Sequence, residues 1–123
     1  MIVIDTSALV DCLCGSRPLQ RRLDEFLSVG EPILLPAAAL YEWLRGPRNQ
    51  QELFTQELFF PSEKAVPFGH VEAAIAAQLY RSVRSPRSRE IDLAIAATAI
   101  SRGALLWTLN RRDFEDVPGL RLL

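Results

Sequence analysis

Ile2-Val3-Ile4-Asp5-Thr6-Ser7-Ala8-Leu9 opens the chain after its first methionine. Three β-branched residues without polar alternation predict a short strand buried on both faces, as in the middle of a parallel sheet. Asp5 then stands at the carboxyl end of that strand, the edge at which open α/β sheets bind their ligands. Thr6 and Ser7 lead into a helical pattern, with Ala8, Leu9, Cys12 and Leu13 in phase and Gly15 as a stop.

Outward from this stretch the same alternation recurs. Residues 18–29 read as a helix with Leu19, Leu23, Phe26 and Leu27 on one face. Ile33-Leu34-Leu35, between Pro32 and Pro36, reads as a second buried strand. A helix over 37–45 ends at Gly46-Pro47, and another over 48–59 turns Leu53, Phe54 and Leu58 inward. Residues 64–66 are a weak edge-strand candidate. A helix over 70–83 carries Val71, Ala74, Ile75, Gln78 and Leu79 in phase, and residues 82–89 form a polar, basic loop around Pro86. Residues 91–101 form a helix whose small stripe of Ile95, Ala96 and Ala99 allows close packing on a sheet. Residues 104–108 are a third apolar strand, and 120–123 an edge strand. Strands alternating with helices predict a three-layer α/β/α fold with a central, mostly parallel sheet and right-handed crossovers.

With 123 residues the chain makes one domain, 1–123. Its 49% hydrophobic and 24% charged residues are those of an ordinary globular protein, and no apolar run is long enough to cross a bilayer. Asp5 interrupts the N-terminal apolar run and no basic segment precedes it, so a secretory signal is not expected and the expected location is the cytoplasm. Cys12 and Cys14 are too close to bridge, so both are expected reduced and buried. A net charge of −1 and a pI near 5.8 exclude a uniformly basic nucleic-acid binder. Lys64 is the one lysine; every other basic residue is arginine, the better bidentate clamp for phosphate.

The acids carry the chemistry. Asp5 follows the first strand and Asp113 lies a few residues past the strand ending at Thr108, so both belong to the carboxyl edge. Glu42 sits early in a helix that starts from that edge. Asp92 opens the helix that leads into the third strand, and spacing alone leaves its edge open. Carboxylates about 4 Å apart repel by roughly 4 kcal/mol per pair at an effective dielectric near 20, so such a cluster calls for a cation. An all-oxygen donor set suits Mg²⁺ or Mn²⁺, whereas a single histidine, His70, and no useful cysteine pair argue against zinc. One or two such ions, with water, constitute an apparatus for phosphodiester hydrolysis.

I-V-I-D-T-S-A-L, Y-E-W-L-R-G, D-L-A-I-A-A-T-A and T-L-N-R-R-D-F, in that order and spanning nearly the whole chain, resemble the four blocks of PIN-domain ribonucleases, specifically the VapC-like toxins of type II toxin–antitoxin pairs. The resemblance implies a PIN-like fold and a Mg²⁺- or Mn²⁺-dependent endoribonuclease. It also implies a homodimer, held inactive by a cognate antitoxin protein. It makes Asp5, Glu42, Asp92 and Asp113 the metal-binding and catalytic acids, which brings Asp92 to the shared edge. It gives Thr6, Ser7, Thr108 and Asn110 the role of orienting water and the acids. R-E-I-D-L around Asp92 departs from the family's usual flanking residues.

Each residue also has a plainer explanation. Asp5 suits a helix cap, Glu42 a surface pair with Arg45, Asp92 a first helical turn, and Asn110 with Asp113 a turn. Arg81, Arg84, Arg87 and Arg89 read as a solvated loop or as contacts to RNA phosphates, and Arg111 and Arg112 likewise. Trp43 and Trp107 are core residues first; Tyr41, Leu44, Phe54 and Phe59 are core or line a partner groove. His70 is a surface or cap residue. Two competing functions remain: a non-catalytic PIN-like module that binds a partner protein, and an aspartyl-nucleophile phosphatase, which lacks its usual second acid because Ser7 stands there.

Overall fold

The computed structural model describes residues 1–15 and 17–123. The chain runs β1 (Ile2–Ile4), α1 (Thr6–Leu13), α2 (Arg17–Ser28), β2 (Ile33–Leu34), α3 (Ala37–Arg45) and α4 (Gln50–Phe59). It continues through α5 (His70–Ser82), α6 (Glu90–Ser101), β3 (Leu105–Trp107) and β4 (Arg121–Leu122). Short 3₁₀ turns occupy Ser62–Lys64 and Arg111–Asp113.

The four strands form one parallel sheet in the order β2-β1-β3-β4. β1 is central as its composition predicts: Ile2, Val3 and Ile4 are all buried. Ile2 pairs with Ile33 on one side and with Leu105 on the other. The chain steps from β1 to β2, then returns to the far side of β1 for β3. The order therefore reverses at β1, and a crevice opens beyond the carboxyl ends of β1 and β3. α6 lies on β1 and β3 and also packs against α3 and α5. Ala96, Ala97 and Ala99 are fully buried there, so the small stripe does let helix and sheet approach.

Several inward faces differ from expectation. In α4, Phe54 and Leu58 are exposed and Gln56 is buried instead; its Nε2 donates to the Phe60 carbonyl at 2.8 Å and to Ser62 Oγ at 3.1 Å. α4 carries apolar residues on several sides, so periodicity does not choose its buried face. α5 is rotated likewise: Glu72 and Leu79 are buried, while Val71, Ala74 and Gln78 face solvent. Leu27, Tyr41, Leu44 and Phe59 are exposed rather than core. Trp43 and Trp107 are buried. β2 is only half-buried, because it is an edge strand. Of residues 64–66 only Val66 pairs, in a single parallel bridge to Pro36. Both cysteines are free, but Cys14 is exposed. Burial pushes the Cys12 thiol up to about 12 and helps raise that of Cys14 to about 11, so neither is a ready nucleophile. His70 is exposed at the start of α5.

Candidate metal centre

Asp5 is the first residue past β1, and its N–H donates to the Trp107 carbonyl at 2.9 Å, which continues the sheet by one rung. It occupies the N-cap position of α1 in extended conformation, yet its carboxylate makes no cap hydrogen bond. The capping explanation therefore fails. Instead Asp5 Oδ2 accepts from Ser7 Oγ at 2.8 Å and from Thr108 Oγ1 at 2.6 Å. Asp5 is 3% exposed. Both hydroxyls go to Oδ2, which leaves Oδ1 for another partner.

The hydroxyls are themselves held. Ser7 Oγ accepts from the Leu109 N–H, and Thr108 Oγ1 from the Asn110 N–H, both at 3.0 Å. The turn after β3 and the first turn of α1 are thus knitted together around one carboxylate. Thr6 Oγ1 donates to Glu42 Oε1 at 2.6 Å, fixing the α3 acid in the same way. Glu42 also meets Arg45, but only at 3.4 Å and on the exposed side.

Asp92 arrives on the first turn of α6. Asp5, Glu42 and Asp92 each bring a carboxylate oxygen within 4.8 Å of the others. At that separation and an effective dielectric near 20, each pair of charges repels by roughly 3 kcal/mol. Asp92 registers the strain: its carboxyl is pushed up to about 6, first by burial, then by Asp5, Glu42 and Asp113, with Arg89 opposing. A hard divalent cation removes that repulsion, and an all-carboxylate donor set with hydroxyl-fixed orientations suits one. The cleft encloses about 440 Å³ and is lined by Asp5, Thr6, Ser7, Glu42, Asp92 and Asn110, together with Val10, Asp11 and Leu109.

The fourth expected acid stands apart. Asp113 lies exposed in the 3₁₀ turn after β3 and does not join the three-acid group, although its charge acts on Asp92. Asp11 also lines the cleft, although the strand-end pattern does not mark it. It lies one helical turn beyond Ser7, so an i, i+4 count along α1 from the site finds it.

The arginines separate. Arg84, Arg87 and Arg112 are exposed. Arg111 Nη1 donates to the Leu123 carbonyl at 2.7 Å and anchors the chain's end. Arg89 is engaged rather than solvated. Its Nη1 and Nη2 grip Asp116 Oδ2 and Oδ1 at 2.9 and 2.7 Å and also reach the carbonyls of Arg84 and Asp113. Sequence reasoning missed Asp116 altogether, because nothing local marks it as a partner for a residue 27 positions earlier.

The PIN domain family model matches residues 2–120. The chain is 35% identical to Ribonuclease VapC19 of Mycobacterium tuberculosis over 98% of both chains. It is 32% identical to Ribonuclease VapC1 of Methanocaldococcus jannaschii over 98% of this chain and 85% of that one. Among solved structures, DNA-bound VapBC from Salmonella typhimurium matches the fold with a TM-score of 0.82 at 21% identity, covering 99% of this chain and 96% of that one. Four parallel strands, their order and a match over almost the full length agree: this chain belongs to the PIN domain family, among its VapC-like members.

Proposed function

We propose that this chain is an endoribonuclease that hydrolyses RNA phosphodiester bonds with Mg²⁺ or Mn²⁺ as cofactor, and that it acts as the toxin of a toxin–antitoxin pair. The observation that carries this reading is the meeting of Asp5 from the end of β1, Glu42 from the second half of α3 rather than its start, and Asp92 from the first turn of α6 within 4.8 Å. Two relatives bearing the name ribonuclease support it. A cognate antitoxin, a homodimer and a cytoplasmic location are what VapC-like membership implies. That no helix among the described residues is long and apolar enough to cross a membrane is compatible with it.

In this reading Asp5, Glu42 and Asp92 hold the cation, and Asp113 is the fourth acid. A bound Mg²⁺ or Mn²⁺ supplies a Lewis acid that lowers the pKa of water at neutral pH. Ser7 and Thr108 keep Asp5 from rotating, and Thr6 does the same for Glu42. Asn110 lines the cleft, and its N–H holds the Thr108 hydroxyl that in turn fixes Asp5. Arg84, Arg87 and Arg112 are exposed and free to neutralise phosphates along the strand. Arg89 and Arg111 are engaged within the protein and contribute less to that contact.

The test is cleavage of a single-stranded RNA pool by purified protein in Mg²⁺ or Mn²⁺ and in excess chelator. Asp5→Asn and Asp92→Asn are expected to lose at least about 10²-fold in rate, equivalent to about 2.7 kcal/mol of barrier. RNA cut equally well in chelator, or by Asp5→Asn, removes the reading. A protein that binds neither Mn²⁺ nor RNA but still pairs with a partner chain is the non-catalytic module.

A further inference from the structure

Three of the acids meet in a cleft, and the fourth expected acid, Asp113, stands outside it on an exposed turn. We propose that Arg89 and Asp116 form a positioning clamp that holds the Asp113 turn against the first turn of α6, beside the metal pocket, and so keeps the fourth acid within reach of it. This rests on the metal-dependent reading above and adds two residues to it.

The geometry is specific. Arg89 is the residue immediately before α6, and its carbonyl accepts from Leu93 N–H at 2.9 Å, so it is built into the helix start that carries Asp92. Its guanidinium reaches across to the segment after β3. Two parallel hydrogen bonds at 2.7 and 2.9 Å bind Asp116, and a third at 2.8 Å binds the backbone carbonyl of Asp113 itself. A fourth, at 3.0 Å, ties in the Arg84 carbonyl from the preceding loop. Four of the five guanidinium N–H groups are thereby used. A planar fork bound this way fixes orientation as well as distance, which a lysine does not.

The turn has two other anchors. Phe114 is buried in the core and pins one side of the turn, and the Asn110 carbonyl accepts from Asp113 N–H at 2.9 Å. Of the hydrogen bonds that hold the turn, those that come from the start of the Asp92 helix are made by Arg89. Its positive charge also acts on both Asp92 and Asp113, so it partly offsets their repulsion while the pocket holds no cation.

Mn²⁺ affinity, read by titration of the free-ion electron paramagnetic resonance signal, tests the clamp without reference to activity. The proteins are wild type, Arg89→Lys, Asp116→Asn, Asp113→Asn and the two double variants with Asp113→Asn, each checked for folding by its metal-free melting temperature. Arg89→Lys keeps the charge and removes the fork. Arg89→Lys and Asp116→Asn are each expected to weaken Mn²⁺ binding on the order of tenfold, the usual effect of removing a group that orients a ligand. In the Asp113→Asn background neither is expected to weaken it further, because the clamp acts through Asp113. A merely stabilising contact gives losses that persist in that background. Unchanged affinity in both single variants, or losses that add to that of Asp113→Asn, overturns the clamp and leaves the metal site standing. Wild type that binds no Mn²⁺ overturns the metal reading and the clamp with it.

Discussion

Replacing Asp92 by Asn is expected to stabilise the metal-free protein at alkaline pH and to destabilise the metal-loaded one. Asp92 is half-buried, and its carboxyl is raised from an ordinary 3.8 to about 6 by burial and by the charges of Asp5, Glu42 and Asp113. A carboxyl raised on folding holds its proton longer in the native state than in the unfolded chain. Its penalty is therefore absent below about pH 3.8, grows between 3.8 and 6, and is complete above about pH 6. The full difference corresponds to roughly 3 kcal/mol at 1.36 kcal/mol per tenfold. Solvent screening of a half-exposed group reduces this to about 1–1.5 kcal/mol. For a chain of this length that is a rise in melting temperature of about 4–6 °C at pH 8 in chelator. The rise is expected to shrink toward zero as the pH falls to 4. Saturating Mn²⁺ reverses the order, since a ligand at 100 times its Kd stabilises wild type by about 2.7 kcal/mol and the variant by less. Differential scanning calorimetry at pH 4, 6 and 8, in chelator and in Mn²⁺, reads all of this. A variant that melts at or below wild type in chelator at pH 8 refutes the reasoning. It would mean that Asp92 serves mainly the N-terminus of α6, a contribution of about 0.3–1 kcal/mol of the opposite sign.

Thr108→Val removes the hydroxyl that joins Asp5 Oδ2 to the Asn110 N–H; a loss of about 1–3 kcal/mol in urea denaturation is expected, together with weaker Mn²⁺ binding. Ala96→Leu places a large side chain where α6 meets the sheet at full burial, and chemical denaturation is expected to show a loss of about 1–3 kcal/mol or more. Asn49→Ala breaks the capping box in which Asn49 and Glu52 exchange hydrogen bonds at 2.8 and 2.9 Å; about 1 kcal/mol is expected from the same measurement, with RNA cleavage unchanged.

Local chemistry explains what was legible. The run Ile2-Val3-Ile4 has no polar face to present, so only a central strand suits it, and β1 is that strand. α3 spans 37–45 as expected, because Pro36 precedes it and Gly46-Pro47 cannot continue it. The failures share a cause. Helical phase places Phe54, Leu58 and Val71 inward, but α4 and α5 carry apolar residues around much of their circumference, and the neighbours each helix meets choose its buried face. Cys14 was expected buried by residue type, yet it falls on the exposed end of α1, where its thiol donates to Glu52. Arg89 looked like one member of a basic loop; its fork is occupied by an acid 27 residues away.

Residue order by itself determined the order of the helices and of the buried strands, to within a residue or two at their ends, and which acids follow strands, since these depend on neighbours within a turn or two. The three-dimensional fold alone decided that β3 returns to the far side of β1. That crossover brings Thr108 to 2.6 Å from Asp5 across 103 positions of sequence. It also gathers Asp5, Glu42 and Asp92 and leaves Asp113 on a turn that Arg89 grips from α6. Periodicity and propensity act over a few residues, whereas a pocket formed by distant segments exists only once the sheet has chosen its strand order.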